Sequence, residues 1–334
     1  MKLDHSIAVF LLVWSSIGLA ADPELRMLSE HPVEGMRGGN LSGLARCGEQ
    51  LWTVSDRDDD QIYRLDTRDK VWKAEAVLID VPTVPNDPGR TLAMQAQSAL
   101  RALAGNGKLD FEGITCDPAG NLYVLSETYS AILRISPDGG IRWLQISLRM
   151  VTMAREAGLL IHANALFEGL IITGIASTEI WLAAERQKRG LVKIKRSIAP
   201  VYYTWFCGAE CVVMTEEGLA PQPPQFPDST WVDKDFSDIA LFNKKLFLLD
   251  RNAFKICRHE MLTGKQERCW SFAADALVPS RQYAARHGMT EALLVDAQGA
   301  WIGVDNNFAT RADGESRPIV WRFAAPAGGW DAGL

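Results

Sequence analysis

The sequence has few of the residues on which familiar catalytic motifs depend. Histidine occurs five times in 334 residues, and there is no GxSxG, HExxH or P-loop motif. The absence of any CxxC pair argues against a cysteine-held metal cluster. Acidic residues outnumber basic residues, which gives a net charge of -6. No basic stripe of the kind that binds nucleic acid is present. These absences exclude the common nucleophile and zinc chemistries and leave carboxylate chemistry as the class to consider.

The N-terminus predicts a cleaved secretory signal at residues 1–20. Lys2 gives a basic start, Ile7 to Trp14 form an apolar core, and Gly18 and Ala20 make a small-x-small cleavage site. An uncleaved anchor is the alternative, but the apolar run is short for a bilayer span and no later segment is apolar enough. We therefore expect a secreted or periplasmic protein without stable membrane insertion. The mature chain, residues 22–334, is expected to be one domain and a monomer.

Export makes the six cysteines candidates for disulfide bonds. Cys257 and Cys269 flank a hairpin-like segment and are expected to lie opposite each other on neighbouring strands. Two further pairs are hypotheses. Cys207 and Cys211 could close a small ring, and Cys47 and Cys116, which each end the first strand of a repeat, could join neighbouring repeats.

A pattern of short strands recurs five times along the chain. Its clearest copy is Asp110 to Ser136, in which an acidic start and a glycine precede an apolar strand, a turn and a second strand that leads into Ser126-Glu127. Repeats of about 50–70 residues with four short strands each are typical of a β-propeller. We therefore predict an all-β protein, a β-propeller of five four-stranded blades with short helical insertions. Six blades are the alternative, if residues 71–109 or 200–233 hide another sheet.

The fifth repeat has three strands of its own, and a lone strand at Glu24 to Ser29 is expected to complete it and close the ring. Three insertions are expected between repeats. Residues 91–107 predict a helix, and residues 149–164 are irregular or partly helical. The strand at 201–206 is the expected outer strand of the third repeat, after which the proline-rich residues 207–233 predict a surface connection rather than further sheet.

Alignment of the repeats on the glycine of the first strand reveals two recurrent polar positions. The first position lies at the start of the first strand and contains Ser42, Glu112, Glu168, Ser237-Asp238 and Glu291. The second lies at the end of the second strand and is acidic in all five repeats: Asp56, Glu127, Glu185, Asp250 and Asp305. Arginine follows it in three repeats, as Arg57, Arg186 and Arg251.

In a propeller these two positions meet at one rim of the central channel, so the pattern predicts an acidic funnel containing arginines. Inter-blade ion pairs are the structural alternative. For the whole ring, however, eight or nine carboxylates face three arginines, and crowded like charges require a cation or shared protons. A hard ion such as Ca²⁺ meets that need. Its candidate ligands are Asp56, Asp250, Asp305, Asn306 and Glu291, while Arg57, Arg186 and Arg251 could hold an anionic ligand.

Four pairs of segments carry these positions: NLSGLA with LWTVSDRD, DFEGIT with LYVLSE, EGL with WLAAER, and SDIALF with LFLLDRN. These motifs resemble the phytase-like propeller family, whose label is esterase-like activity of phytase. The resemblance covers essentially the whole mature chain and implies that acidic residues support phosphoester hydrolysis. By motif position it singles out Glu112, Glu127, Glu168 and Glu185 as catalytic, together with Asp56 and Asp250. The chain departs from the pattern at Ser42, Ser237 and Ala292.

Three functional hypotheses follow. The first is a metal-assisted phosphoesterase or esterase that acts on a small anionic ester. The second is a non-catalytic propeller that binds a ligand or a protein. The third is hydrolysis of lactones or carboxyl esters at the same metal.

Overall fold

A computed structural model describes residues 22–84, 108–162, 165–174, 176–186, 188–197, 204–226 and 231–332. The predicted signal at residues 1–20 and the predicted helix at residues 91–107 lie outside these ranges. The first described strand, β1 (Met27–Glu34), is followed by two antiparallel four-stranded meanders. Blade 1 comprises β2 (Gly43–Cys47), β3 (Gln50–Val54), β4 (Gln61–Asp66) and β5 (Trp72–Leu78). Blade 2 comprises β6 (Phe111–Cys116), β7 (Leu122–Ser126), β8 (Ala131–Ile135) and β9 (Ile141–Trp143).

Blade 3 follows a short helix, α1 (Arg149–Glu156), which confirms the expectation of partly helical structure at residues 149–164. The blade contains β10 (Phe167–Thr173), β11 (Glu179–Ala184) and β12 (Lys188–Arg196). Its outer edge is shared by β13 (Trp205–Phe206) and β14 (Val212–Glu217), which both pair with β12. A separate two-stranded sheet joins β15 (Leu219–Pro221) to β16 (Trp231–Asp233).

The prediction that residues 207–233 contain no further sheet was therefore wrong. Within the described residues β13 covers only the last two residues of β12, so most of that edge would be left with unpaired backbone groups. Strand β14 pairs with the rest of the edge and satisfies those groups. The prolines that suggested a surface connection come after β14.

Blade 4 is the third regular meander, and blade 5 borrows a strand from the N-terminus. Blade 4 comprises β17 (Phe236–Phe242), β18 (Lys245–Asp250), β19 (Lys255–His259) and β20 (Gln266–Ser271). After the short helix α2 (Ala273–Ala276), blade 5 comprises β21 (Thr290–Asp296), β22 (Gly299–Val304) and β23 (Ile319–Ala324). Strand β1 pairs antiparallel with β23, which confirms that the N-terminal strand completes the fifth blade.

Strand β1 runs further than the predicted Glu24 to Ser29. Beyond Pro32, where pairing with β23 ends, Val33 and Glu34 pair in parallel with β5 of blade 1. Proline lacks a backbone donor and is tolerated where a strand changes partner. The extension therefore joins blade 5 to blade 1 through a continuous sheet.

The inner strands β2, β6, β10, β17 and β21 contact one another in a closed ring, so the described residues form five blades. Glycine permits the close approach of these strands. A Cβ added to Gly43 would lie 2.9 Å from the backbone nitrogen of Ile114, and one added to Gly169 would lie 2.6 Å from a carboxylate oxygen of Asp238. The recurrent glycine is thus a packing requirement around the axis.

All three expected disulfide bonds are present. Cys257–Cys269 joins directly paired residues of β19 and β20, and Cys207–Cys211 closes the small ring. Cys47–Cys116 joins the ends of β2 and β6. In the described part of the chain, no helix has the length and apolarity needed to span a membrane.

Candidate functional site

A β-bulge recurs at the start of the inner strand in blades 2 to 5. The register between the inner and second strands shifts at the same point in each, and the residues at the shift are Glu112, Glu168, Ser237 and Glu291. A bulge leaves its extra residue out of the regular ladder and changes the direction of its side chain. The first polar position seen in the sequence is therefore a specific backbone feature at one rim of the ring.

The second polar position is fixed by a backbone hydrogen bond at the end of the second strand. The backbone N–H of Glu127, Glu185 and Asp305 each donates to the carbonyl oxygen of the residue that precedes the inner strand, over 2.8–3.0 Å. In blade 4 the same bond, 3.2 Å long, is made by Arg251 to Asp235.

The prediction that this position is acidic in every blade was wrong for blade 4. Asp250 pairs directly with Phe236, just as Ser126 pairs with Phe111 in blade 2, so Asp250 lies one residue earlier, inside the strand. Arg251 takes the carboxylate's place. The second position is therefore occupied by four carboxylates and one arginine.

Arg251 is enclosed by carboxylates from three blades. Its Nε donates to Asp235 over 2.8 Å, and its two terminal nitrogens bind Glu291 and Glu185. Glu168 lies 3.9 Å from one of these nitrogens. Only 5% of Arg251 is exposed, so its guanidinium acts as an internal counter-charge for the ring. We call Asp235, Glu168, Glu185 and Glu291 the Arg251 carboxylates.

Asp250, predicted as a metal ligand, is paired with a different arginine. Arg189 donates to Asp250 over 2.6 Å and to Glu216 over 2.7 Å, and its guanidinium lies 3.9 Å from the centre of the Phe236 ring. Lys234 also binds Glu216. The buried Arg189–Asp250 pair therefore joins blades 3 and 4, and Glu216 and Lys234 extend it to a partly exposed edge.

Two groups of three carboxylates have oxygens within 4.8 Å of one another. The outer triad, Asp56, Asp110 and Glu112, is partly accessible to solvent. The buried triad consists of Glu127, Glu168 and Glu185. Carboxylate oxygens are the ligands that Ca²⁺ prefers, so the donor chemistry of both groups fits a hard divalent cation. The buried triad shares two of its members with Arg251, whereas the outer triad shares none.

Burial and mutual repulsion alter the titration of these groups. Desolvation raises the pKa of Glu112 well above its ordinary value, and the charges of Glu168 and Asp110 raise it further. Burial also raises the pKa values of Glu185 and Glu168, although Arg251 opposes both shifts. Burial and the crowding of like charges therefore favour the protonated forms of these carboxylates.

Asp305 and its neighbours form the blade 5 side of the rim. Burial raises the pKa of Asp305 to about 7, and the nearby charge of Asp56 contributes to that shift. One oxygen of Asp305 accepts the backbone N–H of Asn307 over 2.7 Å. The side-chain amide of Asn306 donates to two backbone carbonyls, those of Ala309 and Ser316, so this predicted ligand also fixes the loop.

The other two predicted ligand-binding arginines lie nearer to solvent than Arg251. Arg57 has its guanidinium carbon 4.0 Å from the centre of the Phe308 ring and lies 3.8 Å from Asp56. Arg186 lies 3.6 Å from Glu185, and about a third of its side chain is exposed. Both can therefore reach a ligand at the rim.

Two carboxylates of the site were not among the predicted site residues. Asp110 and Asp235 both precede a phenylalanine that begins an inner strand, and their carbonyl oxygens accept the equivalent backbone bonds described above. The shared Asp-Phe pair was the available signal. It was missed because the repeats were aligned on the glycine rather than on the start of the strand.

Comparisons with known proteins place this architecture in a family. A family model described as phytase-like, with the esterase-like activity of phytase, matches residues 37–204, just over half of the chain. The chain belongs to the phytase-like family. In this phytase-like chain the matched region contains the outer and buried triads but ends before blade 4, so Arg251 lies outside it. A comparison with curated proteins found no match.

Solved structures similar to this phytase-like protein have varied activities. Glutaminyl cyclase of Myxococcus xanthus matches with a TM-score of 0.50 and 10% identity, over 90% of this chain and 97% of the cyclase. The PQQ-bound aldose sugar dehydrogenase of Streptomyces coelicolor matches with a TM-score of 0.44 and 12% identity, over 90% and 97% of the two chains. At such low identity the likeness to the cyclase extends to the propeller fold alone.

Proposed function

We propose that the protein is a hydrolase of small anionic esters, phosphate esters first, that works at the acidic rim with a bound divalent cation. The observation that carries the proposal is the pair of carboxylate triads at this rim, one of which shares two members with the enclosed Arg251. The family assignment supports an esterase-like activity. The disulfide bonds favour an oxidising compartment, so we place the activity in the periplasm or outside the cell.

The outer triad is the proposed cation site, with Asp56 and Asp110 as the ligands, because two of its three carboxylates are partly accessible and Arg251 binds other carboxylates. Its hard oxygen donors fit Ca²⁺. A divalent cation held there would supply charge neutralisation and Lewis-acid polarisation of the ester. The buried triad is held in place by its bonds to Arg251 and does not require a second cation.

The remaining chemistry falls to side chains of this chain. Glu112, which lies beside Asp56 and Asp110, is the proposed general base that accepts a proton from the attacking water. Arg57 and Arg186 are proposed to bind the anionic oxygens of the substrate, since guanidinium groups match phosphoryl oxygens geometrically. Glu127, Glu168 and Glu185 are proposed to position the side chains of the rim, and Glu185 stabilises the charge of Arg186.

Hydrolysis of p-nitrophenyl phosphate and bis(p-nitrophenyl) phosphate, with Ca²⁺ and after chelation, tests the proposal. We expect calcium-dependent turnover that falls about 10²–10⁴-fold in Glu112→Gln. The matched control is Glu49→Gln, an exposed residue in the β2–β3 turn at the opposite end of the blade, which should retain full activity.

The outcome also separates the remaining hypotheses. Turnover of lactones or carboxyl esters alone would place the substrate among those classes. Absence of turnover on every ester, combined with ligand-induced thermal stabilisation, would indicate a binding protein and contradict the proposal.

A further inference from the structure

A cleft lies on the face of the ring opposite the acidic rim. Its volume is about 670 Å³, within the range of small-molecule sites, and it lies between blades 2 and 3. Blade 2 contributes the turn after β6, which is at the other end of that strand from Glu112. The cleft is therefore separate from the proposed catalytic rim.

Three arginines line this cleft. Arg134 and Arg142 are directly paired across β8 and β9, and Arg196 at the end of β12 lines the wall formed by blade 3. Like charges directly opposite each other on neighbouring strands are destabilising. The fold thus places repelling charges at one point, where an anion would relieve the repulsion.

Asp117 is the one acidic residue among the described residues that line the cleft, and its oxygens are already engaged. One accepts the backbone N–H groups of Ala119 and Asn121, over 3.0 and 2.9 Å. The other accepts the side-chain amide of Asn121 and the hydroxyl of Tyr123, over 2.7 and 3.0 Å. Asp117 therefore stabilises its own turn instead of pairing with the arginines.

The same turn orients one of the arginines. The side-chain oxygen of Asn121 accepts a bond from Arg134 over 2.7 Å, which leaves the other guanidinium nitrogens of Arg134 for a ligand. Arg142 and Arg196 are exposed, and no ion pair is found for either within the described residues.

Two tryptophans provide rigid apolar walls. The indole N–H of Trp143 donates to the carbonyl oxygen of Pro82 over 2.8 Å, which fixes the ring. The backbone N–H of Trp205 donates to the carbonyl oxygen of Gln145 over 3.0 Å and ties the blade 3 wall to blade 2. The cleft therefore combines fixed walls with concentrated positive charge.

We propose that this cleft binds a small molecule that carries a multiply charged oxyanion, held by Arg134, Arg142 and Arg196. Guanidinium groups bind phosphoryl and carboxylate oxygens by charge-assisted, often bidentate hydrogen bonds. With three arginines and one engaged aspartate, the site suits a di- or trianion better than a monoanion.

Calorimetric titration of metal-free protein at low ionic strength tests the proposal, with pyrophosphate as the phosphoryl probe and citrate as the carboxylate probe. Wild-type protein should bind at least one of the two probes saturably, and the bound anion should raise its melting temperature. Arg142→Gln should weaken that binding about tenfold or more, because it removes a charged hydrogen-bond donor. Arg142→Gln should also melt higher than wild type in the absence of anion, since the repulsion with Arg134 is gone.

Two matched variants distinguish binding in the cleft from binding elsewhere on the protein. Arg149→Gln removes an exposed arginine that lies outside the cleft on α1, and it should bind the probe like wild type. Arg57→Gln removes an arginine of the acidic rim and should also leave binding of the probe unchanged. The proposal is overturned if neither probe binds, if Arg142→Gln and Arg149→Gln bind equally well, or if Arg57→Gln abolishes binding.

Discussion

Arg251 donates its Nε–H to Asp235 over 2.8 Å within blade 4, while its other nitrogens bind carboxylates of blades 3 and 5. One buried guanidinium thus links three blades at the centre of an acidic ring. The other four blades have a carboxylate at the position that Arg251 occupies. The Arg251 guanidinium therefore neutralises part of the negative charge that would otherwise require a metal ion or protons.

The first prediction concerns the replacement of Arg251. Arg251→Met should lower the free energy of unfolding by about 3–5 kcal/mol, because it leaves buried carboxylates without their partner. Added Ca²⁺ should restore more stability to this variant than to wild type, since the freed oxygens can bind a cation. Chemical denaturation with and without Ca²⁺ measures both effects.

Arg186→Met is the matched control for that experiment. About a third of its side chain is exposed, so its loss should cost less than about 1 kcal/mol. Equal destabilisation by the two variants, or a calcium response of Arg251→Met no larger than that of wild type, would contradict the role assigned to Arg251.

A second prediction concerns pH. Burial raises the pKa of Asp305 to about 7, above its value in the unfolded chain, so the folded metal-free protein binds the extra proton. This contribution to stability is fully present below about pH 4 and is lost as the pH rises to about 7, with a slope of up to about 1.4 kcal/mol per pH unit. Urea denaturation at pH 5, 6 and 7 should show a shallower decline for Asp305→Asn than for wild type.

Asp313→Asn provides the control for the pH series. Its partner Arg311 lowers the pKa of Asp313, so its titration lies below this range and its substitution should leave the slope between pH 5 and 7 unchanged. If the Asp305 and Asp313 variants have the same slope as wild type, Asp305 does not carry the extra proton.

The third prediction separates substrate binding from chemistry. Arg57→Gln and Arg186→Gln should each raise KM for phosphate esters about tenfold, because each removes a charged donor to the bound oxyanion. The value of kcat should change much less. A fall in kcat at unchanged KM for both variants would show that these arginines act on the transition state alone and would revise their assignment.

A fourth prediction concerns the joint between blades 1 and 2. The Cys47–Cys116 bond spans a sequence separation of 69, whereas Cys207–Cys211 spans 4. Loss of a bond that closes a long loop costs about 2–5 kcal/mol, and a short ring contributes less. The double serine variant of Cys47 and Cys116 should therefore lose clearly more stability than that of Cys207 and Cys211. Similar melting temperatures for the two variants would show that the long loop is not constrained as described.

The fold could be predicted from the sequence because its repeats carry the propeller geometry within local patterns of strands and turns. The closing strand was predictable too, since the fifth repeat was one strand short. The outer edge of blade 3 was not, because the choice between β13 and β14 depends on which one reaches the open edge of β12. Periodicity along the chain does not contain that information.

The site was predictable as a location and only partly as a set of residues. A one-residue difference in strand pairing puts Arg251, and not Asp250, at the acidic position, and an alignment on acidic residues conceals that difference. The cleft around Arg142 was also missed. It depends on a cross-strand pairing and on the neighbouring blade, neither of which leaves a motif in the sequence.

Calcium binding by the outer triad is the most direct test of the central proposal. Calorimetric titration of metal-free protein should show saturable Ca²⁺ binding in wild type and in Glu49→Gln, and binding weakened about tenfold or more in Asp110→Asn, which loses a charged ligand. Melting temperatures measured with Ca²⁺ should follow the same order. Absence of calcium binding by wild-type protein, or equal affinity in wild type and Asp110→Asn, would contradict a metal-assisted site at this rim.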